Sequence, residues 1–183
     1  MNLKGLLLCG AMVSAVCSMP ASTPEELKAP LAAVRGVGGE GKGNVEAADA
    51  WRQLAQADAG SLTTILAVMD DTNDLAANWL RSAVDTIADR KLKASGKLPV
   101  AELGDFLLNT RHHPRARRLA HELIARVAPA AAEKLIPGML NDPSIELRHD
   151  AVQRLIQDAD QALAGKDAAT GMLVYRQALE YAR

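Results

Sequence analysis

Four arginines and two histidines crowd one short stretch of the chain: Arg111, His112, His113, Arg115, Arg117 and Arg118. A guanidinium is a permanent cation with a planar fork of donors, so such a cluster suits carboxylates or phosphates. The stretch falls at a turn and a helix start, where cations oppose the helix dipole, a small cost that an anionic ligand would offset. Arg111, Arg115 and Arg118 are therefore the candidate binding residues, for a protein or peptide partner of acidic character. No aromatic side chain interleaves with them and the net charge is −1, so nucleic acid is not an expected partner.

Two other constellations invite chemistry. Gly36-Val37-Gly38-Gly39-Glu40-Gly41-Lys42-Gly43 satisfies G-x-G-x-x-G and comes near a phosphate loop, in which backbone amides surround the anion and Lys42 neutralises it. No buried strand precedes it, and Gly43 stands where such a loop needs serine or threonine. It reads as a linker, and no cofactor is expected. Of His112, His113, His121 and His149, His113 and His121 would stand about 12 Å apart along a helix, too far to share an ion. Ala125 replaces the second histidine of a zinc-protease helix, so no metal is expected. Glu102 and Asp105 have the spacing of a solvated helix face. With no Ser–His–Asp grouping in view, the chain reads as non-catalytic.

The elements that would position these groups follow from composition and spacing. The chain is 49% hydrophobic and 3% aromatic, with alanine and leucine in excess, which favours close helix packing over strands. Lys4, the apolar run Gly5 to Val16 and small residues at Cys17, Ser18 and Ala21 read as a signal peptide over residues 1–18. Export to the periplasm or the cell exterior is expected, with no transmembrane segment after cleavage. Ser14-Ala15-Val16-Cys17 leaves open a lipid anchor on Cys17, although Val16 is larger than a lipobox wants. Cys9 and Cys17 both lie in this leader, so packing and not disulfides must hold the mature chain.

Residues 19–43 then read as a short helix, opened by Thr23-Pro24-Glu25-Glu26, and the glycine-rich linker. Residues 44–183 read as one helical domain. Its first stripe is Val45, Ala48, Trp51 and Leu54, capped by Asn44. Later stripes are Leu62, Ile65, Leu66 and Met69; Leu75, Trp79, Ala83 and Ile87; Leu103, Phe106 and Leu107; Leu119, Leu123 and Val127; and Ala132, Leu135, Ile136 and Met139. Met172, Tyr175, Leu179 and Ala182 form the last, whose apolar side leaves room for a neighbour. Trp51, Trp79 and Phe106 belong to the core.

Three of these units repeat an apolar or small residue, an arginine, and the same apolar spacing behind it. They are Leu80-Arg81 with Val84 and Ala88, Ala116-Arg117 with Ala120 and Ile124, and Leu147-Arg148 with Ala151 and Leu155. They recur at intervals of roughly 30–40 residues, the scale of stacked supersecondary units. The third unit, Leu135 to Pro143 followed by Leu147-Arg148, Ala151-Val152 and Leu155-Ile156, resembles a HEAT repeat, an armadillo-like helical family. The whole is similar to the N-terminal part of exported bacterial proteins with such repeats. Trp51-x-x-Leu54-Ala55 and Tyr175-x-x-Ala178-Leu179 are similar to fragments of tetratricopeptide repeats, neither of them completed.

The physical reading has Asp142 capping the second helix, Pro143 in its first position, and Ala151 allowing close approach. The resemblance implies that Arg81, Arg117 and Arg148 are structural repeat arginines, Arg148 reaching toward a neighbouring turn. It also implies an all-α fold: a short right-handed α-solenoid of about three antiparallel helix pairs with flanking terminal helices. The expected function is a non-catalytic scaffold for a protein or peptide. The alternatives are a helical accessory domain or subunit of an extracytoplasmic enzyme, or a lipid-anchored envelope protein.

Overall fold

The computed structural model describes residues 22–182, all of them in helices, turns or loops. The expected leader, with Cys9 and Cys17, lies outside the described residues. Helix α1 (Pro24–Arg35) opens on a reciprocal cap: the Thr23 hydroxyl accepts from the Glu26 amide while the Glu26 carboxylate accepts from the Thr23 amide. It buries Leu27, Leu31 and Val34 and packs along α2 (Asn44–Leu54). Helix α3 (Leu62–Val68) pairs with α4 (Asp74–Ser95), and α5 (Val100–Leu108) with α6 (Pro114–Val127). Helix α7 (Pro129–Leu135) tightens into a 3-10 turn at Ile136–Met139, which packs on α8 (Ile145–Ala164). Last, α9 (Ala168–Tyr181) folds back along α8.

The fold is all-α. Three consecutive pairs occupy the stretch of the arginine repeat, with α1/α2 before them and α9 after. Neighbouring pairs share their apolar sides: α1 meets α3 and α4, and α3 meets α5 and α6. One continuous core runs from Leu27 through Leu66, Leu80, Ile87, Leu107 and Leu123 to Ala151, with Trp51 and Trp79 packed at its margin and Phe106 inside it. Among the described residues no helix is long and apolar enough to cross a membrane.

The glycine-rich segment departs from the linker expected of it. It forms a 3-10 turn at Gly39–Gly41, and its amides are used internally: Gly38 donates to the Lys42 carbonyl and Lys42 to that of Gly39. Val37 is buried, and Asn73 donates from its side-chain amide to the Val37 carbonyl at 2.7 Å. The turn is thus fastened to the start of α4, and α1 shares one core with the helices that follow, as far as Ala151 of α8. Amides consumed in this way are not presented to a phosphate.

Two stripes are rotated from their expected faces. Helix α2 buries Ala47, Ala50 and Leu54 and leaves Val45 76% exposed; Gly43, not Asn44, stands at its cap position. Helix α9 buries Gly171 and Ala178 and exposes Met172 and Leu179. At Gly171 a Cβ would come within 2.8 Å of the Leu163 side chain. Small residues supply most of both buried faces, Ala47 and Ala50 in α2 and Gly171 and Ala178 in α9, which lets the backbones approach closely. Leu75 is similarly turned outward on α4, where Ala76, Ala77 and Leu80 face in.

Candidate functional site

The repeat arginines do three different things. Arg117 is buried and does not line the surface. Its guanidinium donates to both oxygens of Asp142, at 2.8 and 2.5 Å, and its Nε donates to the Leu107 carbonyl at 2.7 Å. One side chain of α6 thereby joins the end of α5 to the turn of the following pair. Asp142 does not cap α8 itself. Ser144 does, accepting from the Leu147 amide, while Asp142 Oδ1 accepts from the Ser144 amide and the exposed Pro143 precedes the helix. Arg148 donates to the Asp142 carbonyl at 2.9 Å, so it braces its own turn and not a neighbouring one. Arg81 is half-exposed and pairs across to Glu122 of α6 at 2.6 Å.

That last pair lies in a groove of about 280 Å³ walled by α4, α6 and the first turn of α8. Arg81 and Asn78 enter from α4, Arg115, Arg118 and Glu122 from α6, and Glu146 from α8. Arg118 reaches Glu122 at 3.4 Å and also pairs with Asp150 of α8. Burial works against the Arg118 charge, but Asp150 and Glu122 outweigh it and hold its pKa above the usual guanidinium value. Arg115, at the second position of α6, pairs with Asp74 at the start of α4, 2.7 Å away. Asp85, beside Arg81, is raised by burial despite that neighbour. The groove therefore carries both signs of charge, contributed by three successive helix pairs.

Of the three candidate binding arginines, the fold brings Arg115 and Arg118 together and leaves Arg111 apart. Arg111 is exposed in the turn before α6, its amide donating to the Asn109 side chain. The adjacent histidines serve the turn: His112 contacts Asp70 at 2.7 Å and stacks on Phe106, while the His113 amide donates to Asp70 and its ring accepts from the Arg115 amide. His121 lines a second hollow between α6, α7 and α8, beside Glu133, Asp150 and Arg154. Its Nε2 is buried without a hydrogen-bond partner among the described residues, and burial, with Arg118 nearby, lowers its pKa. Among the described residues no three histidine, cysteine or carboxylate groups converge as a metal site requires.

The carboxylates Glu122, Glu146, Asp74 and Asp150 escaped the sequence reading. The Arg118–Glu122 spacing was legible as a helical i, i+4 pair. The others come from different helices, and nothing local announces them. No family model matches the chain, and neither a curated protein nor a solved structure matches it.

Proposed function

We propose that the chain is an exported, non-catalytic scaffold of the HEAT-repeat type, holding a peptide segment of a protein partner in the groove between α4, α6 and α8. The observation that carries this reading is the composition of the groove: polar side chains from three successive helix pairs converge on one surface. Stacked repeats bind partners across several units in this manner. The Arg117–Asp142 tie supports the stacked arrangement, since it couples one pair to the next through two direct hydrogen bonds. Export rests on Lys4 and the apolar run that follows it.

The test places a photo-cross-linking side chain at Asn78, within the groove, and in a separate variant at Lys97, exposed in the loop after α4. A discrete adduct from envelope extracts at Asn78 and none at Lys97 is the expected result. Equal labelling from both positions, or none, would remove the reading. The accessory-subunit alternative has one observation in its favour, the outward Met172, Leu173 and Leu179 of α9.

A further inference from the structure

The charge distribution of the groove narrows the chemistry of its occupant. The inference rests on the groove being the binding surface proposed above, and its cations are not equally free. Arg118 is held by Glu122 and Asp150, in a network whose Arg118 and Asp150 side chains are only 28% and 31% exposed, and the more exposed Arg81 shares Glu122 with it. Among the described residues Arg115 has a single carboxylate, that of Asp74, which is 87% exposed. A pair so placed in water contributes little and is readily exchanged for another carboxylate. Glu146, which lines the same groove from α8, has no ion-pair partner among the described residues.

A wholly acidic segment would gain Arg115 but meet Glu146 and Glu122. A wholly basic one would gain Glu146 but meet three guanidiniums. We propose that the groove takes a peptide segment bearing both signs of charge, its carboxylate on Arg115 and its ammonium or guanidinium on Glu146. Asn78 offers both a donor and an acceptor to the backbone of that segment. Like-charge juxtaposition is what rejects the single-sign competitors, so the groove selects by repulsion as well as attraction.

The experiment measures binding of four end-blocked, fluorescently labelled hexapeptides by anisotropy at low and high salt: alternating Glu-Lys, all-Glu, all-Lys and Gly-Ser. The alternating peptide should bind about tenfold tighter than either single-sign peptide, a step equal to one decade in Kd. Raising the salt should weaken it. Arg115→Gln and Glu146→Gln should each remove most of that advantage with the thermal midpoint unchanged. Tighter binding of all-Glu or all-Lys overturns the mixed-charge inference while leaving a peptide-binding groove. Absence of binding by all four peptides also overturns it, and the scaffold reading falls with it only if the Asn78 cross-link captures nothing or no more than the one at Lys97.

Discussion

Arg117 and Asp142 meet through two parallel N–H···O bonds, with side chains only 1% and 6% exposed to water. Such a pair contributes little net stability relative to a well-packed apolar pair, but breaking it strands a charge in the interior. Arg117→Met should therefore cost about 3–5 kcal/mol in urea unfolding, with the m value unchanged. Arg117→Met with Asp142→Leu should recover a large part of that loss. A single-variant loss below about 1 kcal/mol would mean that Asp142 finds other partners and that the tie does not join the pairs.

His121 gives the fold a pH dependence of definite sign. Burial first, then Arg118, lowers its pKa in the folded chain below the ordinary 6.5. As pH falls through about 6.5 the unfolded chain takes up this proton while the folded chain does not, so stability declines toward acid; above that pH the contribution is fully present. Unfolding free energy measured against pH should show this slope, and the difference between wild type and His121→Phe should flatten above about 6.5. Identical profiles for both proteins would refute it.

Gly43 occupies a left-handed backbone position, φ +75°, and a Cβ there would sit 2.9 Å from the Gly36 carbonyl oxygen. Both features penalise any side chain, and the obstacle is backbone that cannot rotate aside. Gly43→Ala should destabilise by about 1–3 kcal/mol. Gly39→Ala, with nothing within 4 Å of its Cβ, should stay within about 0.5 kcal/mol. Equal effects at the two positions would argue that the segment is the loose linker its composition implies.

These contrasts show where the sequence was legible. Helix class and pairing could be read because Leu62, Leu66, Leu107, Leu119 and Leu123 keep helical spacing and are all buried. The facing of α2 and α9 could not, because Ala47 and Gly171 carry no hydrophobic signal and matter only through the approach they permit. The local basic stretch was visible, but its meaning was not. Arg117 turned inward to Asp142, Arg111 stayed apart, and Arg115 and Arg118 were matched with carboxylates from α4 and α8 that no local pattern links to them.

The Arg81–Glu122 pair sets the opposite limit to Arg117–Asp142. It is short, 2.6 Å, but its side chains are 47% and 35% exposed, so water and salt screen it. A double-mutant cycle with Arg81→Ala and Glu122→Ala should give a coupling of about 1 kcal/mol or less, shrinking further as salt rises. A value near the several kcal/mol of a buried pair would show that the groove wall is a structural joint, whose charges cannot be altered without loosening α4 from α6. The small value expected has a practical consequence. Each groove charge can then be neutralised in a chain that stays folded, and a lost ligand can be traced to the missing charge and not to a collapsed stack.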